Sequence, residues 1–143
     1  MRILVVEDQA LIALTLGEAL KEAGHEVIGP AVRSEQALSL ARARRPELAL
    51  VDIDLDYAGE GLELASELYA LGSAVLFMTG RADLARTHPL ALGVMVKPFS
   101  LTSAVAAVSI AQGLLAGESD PPIPPIELRL FSPPANPLVR SRI

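Results

Sequence analysis

Apolar positions along this chain alternate between two patterns. Short unbroken runs occupy residues 2–6, 26–32, 48–52, 74–78 and 92–96, and the third carries Leu48, Ala49, Leu50 and Val51 straight into Asp52. The stretches between them have helical spacing. Leu11, Ile12, Leu14, Leu16, Ala19 and Leu20 form a mostly apolar face, with Glu18, Lys21 and Glu22 as polar positions and Gly24 placed to end the helix. Ala37, Leu38, Leu40 and Ala41 repeat behind Ser34, a capping residue, until Pro46 stops them. Leu62, Leu64, Ala65, Leu68, Tyr69 and Leu71 make a third helix ended by Gly72. A last one follows Ser100, with Leu101, Ala104, Val105, Val108, Ile110 and Leu114 reaching about residue 116. Between residues 81 and 88 the signal is weak and Pro89 limits it, which predicts a short or irregular fourth helix. Five strand signals alternating with five helix signals predict an α/β fold: a doubly wound, five-stranded parallel sheet with helices on both faces. Runs without polar alternation are what burial on both faces requires. Pro30 marks its strand as an edge strand.

The pattern breaks after residue 116. Seven of the 11 prolines fall in residues 121–137, so this stretch neither extends a helix nor forms a central strand. The expected division is a domain over residues 1–116 and a Pro-rich tail over 117–143. The tail is more apolar than a solvated segment: Ile126, Leu128 and Leu130 alternate around Glu127 and Arg129, as suits a short added strand. It is expected to pack on its own domain or on a neighbouring copy, as an arm in a homodimer, with residues 126–131 as the contact.

Composition narrows the function classes. A net charge of −5 and an aromatic content of 3% offer neither the basic field nor the stacking surface of a nucleic-acid binder. Without cysteine there are no disulfides or thiolate metal sites, and a cytoplasmic location is expected. No stretch is long and apolar enough to span a membrane.

The candidate chemistry lies where the strand-like runs end: Glu7-Asp8, Asp52, Thr79 and Lys97. In a parallel sheet those ends share one edge, so groups distant in sequence converge. Three carboxylates together repel and call for a cation, and an all-oxygen set favours Mg2+ over zinc or copper. A hydroxyl at Thr79 and an ammonium at Lys97 suit contact with a phosphoryl group, so the set makes sense as a carboxylate that is itself phosphorylated.

On Glu7-Asp8, Asp52, Thr79 and Lys97-Pro98-Phe99, in that order over residues 1–116, the chain resembles the receiver domain of two-component response regulators. The resemblance implies the flavodoxin-like strand order 2-1-3-4-5 and a phosphorelay role. Asp52 is then the phosphoacceptor, taking a phosphoryl group from a phosphohistidine on a histidine kinase or histidine phosphotransfer protein. Mg2+ is held by Asp8, Asp52 and the backbone carbonyl of Asp54, with Glu7 acting through water. Thr79 donates to a phosphoryl oxygen and Lys97 pairs with the group. The Lys97-Pro98 bond is cis. The chain catalyses only its own phosphorylation and dephosphorylation and signals, as a single domain, by protein contact. Two departures bear on output. Receivers commonly carry an aromatic three positions before the lysine, where Val94 stands here, and the interval between Thr79 and Lys97 is short for the family. Asp54 and Arg81 occupy rate-tuning positions and could form an ion pair.

Other readings compete. A phosphate shuttle or sink needs no conformational output. Asp52 and Asp54 also resemble the nucleophile and general acid of haloacid-dehalogenase-type phosphatases, although the later acidic pair of that family is missing. Asp52, Asp54, Asp56 and Glu63 match the spacing of a Ca2+ loop, but Tyr57 stands where its glycine belongs and a strand precedes it.

Overall fold

The computed structural model describes residues 1–54, 60–81, 88–131 and 136–137. In chain order the elements are β1 (Arg2–Val6), α1 (Ala10–Glu22), β2 (Glu26–Ala31), α2 (Ser34–Arg44), β3 (Leu48–Asp52), α3 (Glu60–Ala70), β4 (Ala74–Thr79), β5 (Gly93–Val96), α4 (Leu101–Leu115) and β6 (Leu128–Leu130). They build one sheet in the order β2-β1-β3-β4-β5-β6. The first five strands are parallel and give the expected flavodoxin-like order. The sheet has one strand more than the five read as its framework: β6, from the tail, runs antiparallel to β5.

Strand period and double winding explain the unbroken apolar runs. Along β1, Ile3 and Val5 pack with Leu16 and Leu20 of α1 and with Ala107, Val108 and Ala111 of α4. Leu4 and Val6 face the other way, onto Ala37, Leu38 and Ala41 of α2 and Leu64, Ala65 and Leu68 of α3. Every β3 and β4 residue is buried, since helices cover both faces. Pro30 does lie on an edge strand. The register shifts from Leu4 opposite Ile28 to Val6 opposite Ala31 around Gly29 (φ 99°) and the cis Gly29-Pro30 bond. An irregular edge with a missing N–H discourages pairing with another chain.

One local expectation is corrected. Ser34 is the first helical residue of α2 and Arg33 is the cap; instead, Gln36 reaches back to accept from the Val32 N–H at 3.0 Å. Ser100 does cap α4, accepting from the Ser103 N–H at 3.0 Å. The weak helix signal before Pro89 falls largely on residues 82–87, outside the described residues. Among the described residues no helix is long and apolar enough to cross a membrane.

The tail strand is fitted to its seat. Gly93 lies opposite Leu130, and a Cβ there would come within 2.3 Å of the Arg129 carbonyl oxygen. Only glycine lets the backbones approach so closely. The Val96 N–H donates to the Glu127 carbonyl at 2.8 Å and the Phe131 N–H to the Leu92 carbonyl at 2.9 Å. Leu128 joins the core on the α1/α4 face and Phe131 the core on the α2/α3 face. Ile126, expected in this contact, is instead 93% exposed.

Candidate functional site

Parallel strands deliver their C-terminal residues to one edge, and the register aligns them. Val6 lies opposite Val51, Asp52 opposite Met78 and Thr79 opposite Val96. Glu7 and Asp8 follow β1, Asp52 ends β3, Thr79 ends β4 and Lys97 follows β5, so the sheet brings all five together. Glu7, Asp52 and Thr79 are buried and Asp8 is half-buried. The Glu7 backbone N–H is held by the Ala31 carbonyl at 2.9 Å, tying the acidic pair to the irregular end of β2.

Lys97 organises the acids. Its Nζ donates to Asp52 Oδ2 at 3.1 Å and to Glu7 Oε1 at 3.3 Å. The strand end fixes its backbone, since the Lys97 N–H donates to the Thr79 carbonyl at 2.8 Å. The Lys97-Pro98 peptide is cis, as the resemblance implies. One ammonium does not balance this much negative charge. Burial, hydrogen bonding with Asp52 and the Asp52 charge push the Glu7 carboxyl up to about 8, against the opposing pull of Lys97 and the Gln9 N–H. Burial works against the charge on Lys97, but its hydrogen bond to Asp52 and the charges of Asp52 and Glu7 outweigh that and raise its pKa above the ordinary lysine value.

The donor set fits a hard cation. Glu7, Asp8 and Asp52 each offer a carboxylate oxygen, and these atoms lie within 4.8 Å of one another. A divalent ion with oxygen ligands would offset the charge of these carboxylates.

Asp54 behaves differently from what its sequence position suggests. Its N–H donates to Asp52 Oδ1 at 2.8 Å, which fixes the Asp52 carboxylate from the backbone side. Its own carboxylate accepts from Thr79 Oγ1 at 2.5 Å and from the Gly80 N–H at 2.7 Å. The Arg81 backbone N–H donates to Thr79 Oγ1 at 2.9 Å, and among the described residues the ion pairs do not include Asp54 with Arg81. In this arrangement both Asp54 oxygens accept hydrogen bonds. Sequence reasoning singled out the Asp54 side chain but paired it with Arg81, and it missed the Gly80 N–H; the signal was that Gly80 stands just past the strand end carrying Thr79.

The family model described as the response regulator receiver domain matches residues 3–109. The chain belongs to this family. Over 115 residues this receiver is 33% identical to the transcriptional regulatory protein PdtaR of Mycobacterium tuberculosis, covering 77% of the chain and 56% of that protein. It is 33% identical over 113 residues to the phyllosphere-induced regulator PhyR of Methylorubrum extorquens, covering 76% and 42%. The chain therefore spans about half the length of the curated relatives it matches. Among solved structures, it resembles a CheY-like receiver domain protein from Methanospirillum hungatei, with a TM-score of 0.68 and 26% identity over 76% of this chain and 90% of that one. It also resembles the N-terminal domain of a response regulator/sensory box/GGDEF protein from Carboxydothermus hydrogenoformans, with a TM-score of 0.71 and 25% identity over 82% and 98%. Receiver domains bind Mg2+ through acidic residues, and this one carries an acidic cluster of Glu7, Asp8 and Asp52.

Val94, the position that departs from the common aromatic, is buried in the α2/α3-side core and lies opposite Arg129 of β6. No aromatic ring at this position can follow a movement of Thr79.

Proposed function

We propose that this receiver accepts a phosphoryl group from a phosphohistidine onto Asp52 in a Mg2+-dependent reaction. The observation that carries the reading is the convergence of Asp52, Asp8, Glu7, Thr79 and Lys97 at one sheet edge, with Lys97 Nζ bridging Asp52 and Glu7. Asp8, Asp52 and the Asp54 carbonyl would hold Mg2+, with Glu7 acting through water; the ion would neutralise phosphoryl oxygens. An Asp52 oxygen forms the new bond to phosphorus while the phosphorus–nitrogen bond to the donor imidazole breaks. Lys97, already beside Asp52, turns its charge to the incoming oxygens, and Thr79 supplies a hydroxyl donor. The product is an acyl phosphate. Incubating the protein with acetyl phosphate should give, with Mg2+ and not without it, a phosphoprotein whose label is released by hydroxylamine. A hydroxylamine-stable label would sink the reading.

The partner is a histidine kinase or a histidine phosphotransfer protein, and the setting is the cytoplasm. Beside Lys97 lies a groove of about 480 Å³ lined by Ile12, Thr15, Leu16, Pro98, Phe99 and Leu101. Leu11 and Leu14 of α1 stand next to it, 73% and 60% exposed. Apolar surface around a charged site suits a protein donor better than a free small molecule. Leu14→Asp is accordingly expected to slow transfer from a phosphohistidine protein about tenfold, the equivalent of about 1.4 kcal/mol, while leaving labelling by acetyl phosphate unchanged. Equal slowing with both donors would remove the docking role.

Output by protein contact does not run through an aromatic switch at Val94. That favours, as a second reading, a phosphate shuttle that needs no conformational output. Rapid return of the phosphoryl group from Asp52 to a histidine donor distinguishes the two.

A further inference from the structure

We propose that the Asp54 carboxylate is a built-in occupant of the place that receives the phosphoryl oxygens, a latch that phosphorylation must displace. The proposal rests on Asp52 being the phosphoacceptor. Two donors stand at the end of β4, the strand paired with β3 and its Asp52, namely the Thr79 hydroxyl and the Gly80 N–H, and both already hold the Asp54 carboxylate: Oδ1 at 2.5 Å and Oδ2 at 2.7 Å. The Thr79 hydroxyl has one proton, and its oxygen already accepts from the Arg81 N–H at 2.9 Å. It therefore cannot donate to Asp54 and to a phosphoryl oxygen at once.

The geometry gives the latch a way out. Asp54 is exposed, so its side chain can swing to solvent, while its N–H keeps its place on Asp52 Oδ1 at 2.8 Å. Buried Thr79 has no such freedom. In the labelling step, an Asp52 oxygen forms a bond to the phosphorus of acetyl phosphate. The phosphorus–oxygen bond to the acetyl group breaks, and acetate leaves with the electron pair. Releasing Asp54 from two donors precedes or accompanies this step and slows it. Asp54 is thus a positioning residue that acts on the phosphoryl group through Thr79 and Gly80.

The test compares the parent with Asp54→Ala and Asp54→Ser, by intact mass during incubation with Mg2+ and acetyl phosphate, and by hydrogen exchange of the Gly80 amide in the unphosphorylated proteins. The latch predicts labelling about tenfold faster in both variants, the equivalent of about 1.4 kcal/mol of released contact, together with faster Gly80 exchange. A labelled parent with variants no faster overturns the latch. Faster labelling with unchanged Gly80 exchange also overturns it, since removal of a nearby charge then accounts for the rate. Absence of label from all three proteins removes the phosphoacceptor reading, and the latch with it.

Discussion

Lys97→Ala is expected to accept a phosphoryl group from acetyl phosphate at least about tenfold more slowly, the loss of one charge-assisted hydrogen bond worth about 1.5–3 kcal/mol. It is also expected to be unstable in a pH-dependent way. Without Lys97 the buried Glu7 and Asp52 lose the ammonium that contacts both. Removing one partner from a buried ion pair costs about 3–5 kcal/mol, because the remaining charge stays desolvated. The Glu7 carboxyl has an escape, since its pKa lies at about 8 against an ordinary 4.5. Between those values the folded state binds the Glu7 proton more tightly than the unfolded chain does, so stability falls as pH rises through that window. The loss in Lys97→Ala should therefore approach about 3 kcal/mol near pH 9 and be smaller near pH 6, where Glu7 is neutral. Mg2+ should restore part of it. Urea denaturation of parent and variant at both pH values, in chelator and then in Mg2+, checks this. A loss independent of pH and metal would show that Lys97 does not hold the acids together.

Truncation after Ala116 is expected to lower stability and promote association. Leu128 and Phe131, each buried in a different half of the core, would leave, and burial of such side chains stabilises by about 1.5–3 kcal/mol each. Ordering the Pro-rich approach to β6 offsets part of this, so the net loss should be about 2 kcal/mol. The second consequence is an open edge on β5, where the Val96 N–H and the Leu92 carbonyl lose their partners. Gly93→Val, with no room for a side chain beneath Arg129, should reproduce both effects with the tail in place. Thermal melts and light scattering read them. Unchanged melting and unchanged mass in both proteins would mean that β6 does not hold the sheet edge.

The core of the fold is legible in the sequence because double burial leaves a distinctive trace: β3 and β4 read as unbroken apolar runs since neither face meets water. The site is legible for a related reason. Once the runs are parallel strands, the residue ending each one must sit at the common edge, which places Asp52, Thr79 and Lys97 without any knowledge of their contacts. What escapes is what depends on side-chain competition or on one backbone meeting another. Asp54 could have paired with Arg81, and nothing in the spacing says that Thr79 and Gly80 take it first. Ser34 is as good a cap by type as Ser100, but only Ser100 takes that place in its helix. The alternation of Leu128 and Leu130 suggests a strand, whereas its seat depends on Gly93, some thirty-odd residues earlier in the chain, a fit visible only once both backbones are placed.

In the proposed reaction the carboxylate at the end of β3 receives the phosphoryl group, with the surrounding residues serving it. Intact-mass analysis of the parent and Asp52→Ala, side by side with Mg2+ and acetyl phosphate, tests this most directly. One phosphoryl group should be added to the parent and none to Asp52→Ala. Phosphorylation that persists in Asp52→Ala would contradict this assignment.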